Sequence, residues 1–132
     1  MTSETLHPLV ARLTSAHGFP YLDSEEAAVA GLPPGDSLLF LPAHGKAHME
    51  TPDIAVVLPE LVGVLGGGST IGGAVAGPAY EKRLREQLGI ALPAIVVMRG
   101  GRPLGSLSRM RDWDEFIERL SAVIAGPAAT SH

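Results

Sequence analysis

The chain has 132 residues, 45% of them hydrophobic and 18% charged, with a formal net charge of −4. That balance suits one globular domain able to bury a core without covalent staples, and its acidic sign argues against a nucleic-acid partner, which requires a basic face. No cysteine is present, which removes disulfides, thiolate metal ligands and cysteine nucleophiles at once.

In chain order, Pro8 suits the first turn of a helix reaching about His17, with Leu6, Leu9, Val10 and Leu13 on one face. Gly18 stops it. Phe19–Leu22 is a short strand whose Pro20 points to a sheet edge or a strand end. Asp23 or Ser24 caps a short helix through Ala30, and Glu25 and Glu26 suit its first turn. Leu32-Pro-Pro-Gly-Asp36 is a turn. Ser37–Leu41 is a continuous apolar run of strand length, as expected of a central strand buried on both faces. Pro42 ends it, and Ala43–Glu50 is a loop.

Thr51 caps the next helix, with Pro52 at its first position and Asp53 near the positive end of its dipole. Val57, Leu58, Leu61, Val62 and Leu65 form its apolar face. Pro59 lies inside it and is expected to kink it. Ser69–Ala76 is a weak strand diluted by Gly72 and Gly73. Gly77-Pro78 opens a helix in which Tyr80, Leu84 and Leu88 recur at period four, and Gly89 closes it. Ala94–Met98 and Leu104–Ser108 flank Gly100-Gly101 and read as a β-hairpin. Asp112 caps the last helix, with Glu115 completing a capping-box-like pair. Trp113, Phe116, Ile117, Leu120, Val123 and Ile124 form an amphipathic stripe assigned to the core. Gly126-Pro127 is expected to close this helix.

The order α-β-α-β-α-β-α-β-β-α implies an α/β fold with a mixed central sheet. Helices flank both faces, and an antiparallel hairpin plus a helix form the C-terminal end. One domain over residues 1–126 is expected, with a frayed tail at 127–132. Met1–Thr5 lack the basic and apolar regions of a secretory signal, and no apolar run approaches the ~20 residues that span a bilayer. A cytoplasmic chain without membrane insertion is expected.

Charge is unevenly distributed. Residues 1–60 hold eight acids against Arg12 and Lys46, and residues 61–132 hold six acids against eight bases. An acidic half is consistent with a cationic partner, but a solvated surface is the simpler account of it. His44 and His48 lie four apart near Glu50 and Asp53, but Gly45 favours a loop over the helix that would align them, so no metal site is assigned. Gly66–Thr70 lacks both the Lys-Ser/Thr of a P-loop and dinucleotide-fingerprint spacing. No Gly-x-Ser-x-Gly elbow accompanies the serines and histidines. Arg109-Met-Arg111 is read as a solvated turn.

The element order, with Leu92-Pro93 just before the hairpin, resembles thioredoxin, most closely over Leu84–Ile124. That resemblance implies a cis Pro93 facing an active-site loop. The position of the family's paired cysteines falls at His44-Gly-Lys-Ala47, so no thiol exchange is possible. Over nearly the whole chain the sequence is similar to the hydrogenase expression/formation proteins of the HupG/HyaE/HoxO type, which look like thioredoxin without its cysteines. The resemblance rests on overall pattern and on Leu92-Pro93-Ala94 with Gly100-Gly101. It implies a chaperone in nickel–iron hydrogenase maturation that binds the small-subunit precursor and its twin-arginine signal peptide before export. No catalysis and no cofactor are implied. Candidate partner-binding residues are His44, Gly45, Lys46, Glu50, Asp53, Leu92, Pro93 and Ala94. An acidic patch could receive arginines, and an apolar groove or strand edge could receive the rest of a leader. Two alternatives stand beside this reading. One is a redox-inactive interaction module of another assembly system. The other is a cysteine-free enzyme of glutathione-transferase type, for which the expected Tyr or Ser and the second helical domain are not evident.

Overall fold

The computed structural model describes residues 8–32, 36–42, 51–66, 71–99, 102–109 and 111–130. Its elements are α1 (Pro8–Ser15), β1 (Tyr21–Leu22), α2 (Glu25–Gly31), β2 (Asp36–Leu41), α3 (Thr51–Gly66), β3 (Ile71–Ala76), α4 (Pro78–Leu88), β4 (Ala94–Arg99), β5 (Arg102–Ser108) and α5 (Trp113–Thr130). The five strands form one sheet in the order β1-β3-β2-β4-β5. β1, β3 and β2 are mutually parallel, β4 runs antiparallel to β2, and β5 runs antiparallel to β4. This is the mixed sheet expected from a parallel crossover followed by a hairpin. β1 lies at an edge, and Pro20 just before it still accepts from Val75 N–H of β3, at 2.9 Å, on its carbonyl.

β2 shows why its run of apolar residues does not alternate with polar ones. Leu38, Leu39, Phe40 and Leu41 are all fully buried. Successive side chains of a strand point to opposite faces. Leu38 and Phe40 join a cluster with Val10, Leu13, Leu58, Phe116 and Leu120, while Leu39 and Leu41 join another with Ala28, Tyr80 and Leu84. α1, α3 and α5 therefore cover one face and α2 and α4 the other. Each large side chain buried in this way stabilises the fold by about 1.5–3 kcal/mol relative to exposure.

Several boundaries differ from the sequence expectation, each for a local reason. α1 ends at Ser15 rather than near His17, because Ala16 and His17 both donate to the Arg12 carbonyl, at 2.8 and 3.2 Å, and close the turn. β5 begins at Arg102 rather than Leu104, since an edge strand tolerates Pro103. α5 runs on to Thr130 past Gly126-Pro127. A proline's own φ is helical, so its ring removes one donor without forbidding the helix. Trp113 is 39% exposed rather than in the core, because it is the first residue of α5, three residues before the first fully buried position, Phe116. Glu115, read as a capping partner of Asp112, places Oε2 3.2 Å from Arg111 Nη1 and 3.3 Å from Arg119 Nε.

The two capping candidates before α2 divide their work. Ser24 caps α2, its Oγ accepting from Ala27 N–H at 3.0 Å. Asp23 reaches across to α4, where Oδ1 accepts from Ala79 N–H at 2.9 Å. A Cβ at Gly77 would collide with that carboxylate, so glycine is needed there. Gly73 likewise leaves room for the Phe19 ring against β3, which explains a glycine inside a strand. Gly89 closes α4 at φ 65°, as its position predicted.

Candidate functional site

The parallel strands β1, β3 and β2 deliver their carboxyl ends to one end of the sheet. Because β4 is antiparallel to β2, its first residue lies at that same end, and Leu41 pairs with Ala94. One residue further along each strand lie Pro42 and Pro93, both buried. Neither has an N–H; Pro93 faces β5, so its missing donor is lost from the β4–β5 ladder, and the β2–β4 register ends at Leu41 and Ala94. The Leu92–Pro93 peptide bond is cis, as the resemblance implied. Pro93 still accepts a hydrogen bond on its carbonyl, from Arg109 N–H at 2.7 Å. Leu92 is half-buried against the cluster under α4.

Of the predicted site residues, Leu92, Pro93 and Ala94 are thus brought beside the exit of β2. Ala94 and Pro93 are buried, so Leu92 is the one of the three with accessible side-chain surface. Asp53 lies exposed in the first turn of α3. His44, Gly45, Lys46 and Glu50 lie outside the described residues. Glu25 and Glu26 start α2, at the carboxyl end of β1, and so share this end of the molecule. Three strand spacings, roughly 14 Å, separate β1 from β4.

α2, α3, α4 and α5 all begin at this end, because each follows the end of β1, β2, β3 or β5 that lies here. Glu25, Glu26, Asp53, Glu81, Asp114 and Glu115 occupy their first turns. Each carboxylate therefore complements the positive end of its own helix. The acidic character of this end is a by-product of the topology. Glu25 has a further partner in Arg83, 3.6 Å away, an exposed pair of small energetic weight.

Sequence reasoning missed two residues here. Arg109 lies at φ 72°, a backbone region unusual for a side-chain-bearing residue. Its pairing with Pro93 depends on a register shift between Val97 and Met98, which moves Arg109 rather than Ser108 opposite Pro93 and leaves no mark in the spacing. Its φ leaves none either. Trp113 is the second, an exposed aromatic at the start of α5. The turn read as Arg109-Met-Arg111 is partly tied down: Arg111 Nε donates to the Ser108 carbonyl at 2.9 Å. Among the described residues there is no group of three His, Asp or Glu side chains placed to hold a metal ion. No helix among them is long and apolar enough to cross a membrane.

The family profile described as hydrogenase-1 expression protein HyaE matches residues 9–116. The hydrogenase expression/formation protein HupG of Rhodobacter capsulatus is 39% identical over 121 residues, 90% of this chain and 86% of that one. HoxO of Azotobacter vinelandii, a protein of the same description, is 37% identical over 122 residues, 92% of this chain and 80% of its own. Among solved structures, a crystal structure of a designed protein superposes with a TM-score of 0.53 at 17% identity, covering 86% of this chain and 95% of that one. That last likeness concerns the fold alone.

Proposed function

This chain belongs to the HyaE family of hydrogenase expression proteins, and from that premise we propose that it binds the small-subunit precursor of a nickel–iron hydrogenase, twin-arginine signal peptide included, and shields it in the cytoplasm before export. Membership in the family supports a role in hydrogenase maturation. It is the observation that carries the proposal, because it spans most of the chain. The absence of cysteine points to binding rather than thiol chemistry.

We read the mixed sheet, with its cis Pro93 beside the exit of the central strand, as thioredoxin-like. On that reading the end of the sheet holding Leu92, Pro93 and Ala94, with Asp53 and the residues His44, Gly45, Lys46 and Glu50, serves as a docking surface and catalyses nothing. The arginines of a leader would meet carboxylates in charge-assisted hydrogen bonds, and its apolar stretch would meet Leu92 and its surroundings.

Titration with the small-subunit signal peptide tests this. The authentic leader should bind, and a scrambled leader should bind at least about tenfold more weakly, a difference of about 1.4 kcal/mol. Glu50→Gln and Asp53→Asn together should weaken binding and flatten its dependence on salt. Equal affinity for authentic and scrambled leaders would overturn the signal-peptide reading. Unchanged affinity in the double variant would remove those two carboxylates from the site.

A further inference from the structure

β5 ends the sheet, and among the described strands it pairs with β4 alone. The Arg109–Pro93 hydrogen bond, at 2.7 Å, sets the phase of that ladder. In an antiparallel pair, alternate residues bond inward, so residues 109, 107 and 105 face β4 while Ser108 and Ser106 direct their main-chain groups outward. Arg111 taking the Ser108 carbonyl from outside, at 2.9 Å, agrees with this phase. The outward N–H and C=O of Ser106 lie on the open edge, ready to pair with another strand.

A groove runs along this edge between β5 and α5. Its lining includes Ser106, Asp112, Asp114, Glu115, Glu118 and Arg119. Glu115 is already engaged by Arg111 and Arg119. Asp112, Asp114 and Glu118 are exposed and form no ion pair with any described residue. Asp114 and Glu118 are four residues apart on α5, hence on one face and about 6 Å apart along its axis. Alternate residues of an extended strand are about 6.7 Å apart. Every second side chain of a strand added to β5 would lie on the face of Leu107, which is the face α5 covers. The two spacings therefore match.

We propose that the open edge of β5 is a strand-addition site for an extended segment of a partner protein carrying basic residues at alternate positions, its main chain pairing with Ser106 and its cations meeting Asp114 and Glu118. Asp114 shares the end of the sheet that holds Pro93, but the pairing edge is that of β5, one strand beyond β4, and the proposal does not rest on the identity of the hydrogenase precursor.

The test uses the full chain and a fluorescent eight-residue peptide alternating Lys with Val, against a peptide of the same composition with the lysines in one block. The alternating peptide should bind at least about fivefold more tightly and should slow hydrogen exchange at the Ser106 amide. Asp114→Asn with Glu118→Gln should cost about fivefold in affinity, as expected of two exposed charge pairs. Ser106→Pro removes an outward N–H without touching the inward ladder and should abolish the preference for the alternating peptide. Should that variant fold poorly, the wild-type chain with two N-methylated peptides gives the same information. Methylation on the edge-facing residues should block binding, and methylation one residue out of phase should be tolerated. Equal binding of alternating and blocked peptides, or of the two methylated peptides, would overturn the proposal. So would sedimentation showing that a second copy of the chain occupies the edge.

Discussion

Among single residues, Asp23 and Tyr80 carry the sharpest expectations. Asp23 Oδ1 accepts from the α4 N-terminus across 56 residues of sequence. Asp23→Ala should cost about 1–2 kcal/mol in a urea titration, whereas Asp23→Asn, which keeps an acceptor, should cost much less. Gly77→Ala should resemble Asp23→Ala, because the added methyl displaces the same carboxylate. Tyr80 is 1% exposed, and its hydroxyl has no hydrogen-bond partner among the described residues. Tyr80→Phe should leave stability unchanged or raise it by about 1 kcal/mol. Burial, then the nearby Glu25 carboxylate, raise the Tyr80 pKa above its ordinary value of 10.0, with Arg83 opposing them. The unfolded chain thus ionises this phenol first. Its contribution is fully present below pH 10.0 and is lost as pH rises through the higher folded value. Wild type should therefore lose more stability than Tyr80→Phe between pH 9 and 11, roughly the range around a phenol's ordinary pKa, as read by thermal unfolding. Parallel pH profiles would contradict the buried, proton-holding hydroxyl.

For the elements, the most informative link is Arg99 at the end of β4. Its Nε and Nη2 donate to Asp36 Oδ1 and Oδ2 at 2.7 and 3.0 Å, and Nη2 also reaches the Ile124 carbonyl at 2.9 Å. One guanidinium thereby joins the start of β2, the end of β4 and the later part of α5. Arg99→Lys keeps the charge but not the fork. It should speed amide exchange in α5 around Ile124 while leaving the first turn of α5 unchanged; uniform exchange along the helix would contradict the link. Element order, the central place of β2 and the caps at Ser24 and Gly89 were legible in the sequence, because apolar periodicity and turn chemistry are local. Asp23 on α4 and Arg99 on α5 were not, because each partner lies far away in sequence. Trp113 fitted the stripe of α5 by period, yet period says nothing about where the covering sheet begins.

For the whole molecule, both apolar clusters draw side chains from β2 and β4. Leu38 and Leu39 are adjacent in the chain and serve opposite faces, so neither face can come apart without disturbing the strand that supports the other. Unfolding is expected to be two-state. Fluorescence of Trp113, the single tryptophan, and far-ultraviolet circular dichroism should give coincident urea transitions. Separate midpoints would show that the two faces melt independently. At this scale the site was legible only in part. The place of Pro93 beside the exit of β2 was implied by the resemblance to thioredoxin, and the pairing of β2 with β4 supplies its physical basis. That four helices begin at the same end, and so gather acidic first turns there, becomes visible only once the strands are paired.

The Asp23 latch also bears on the order of events during folding. Its two ends meet only after β1, a two-residue strand, has docked on β3 beside the start of α4. Closing so long a loop for so little contact favours a late step. Removing the carboxylate should then quicken the unfolding limb of a chevron and leave the refolding limb almost where it was. The short outer strand would behave as the clasp fastened last and opened first.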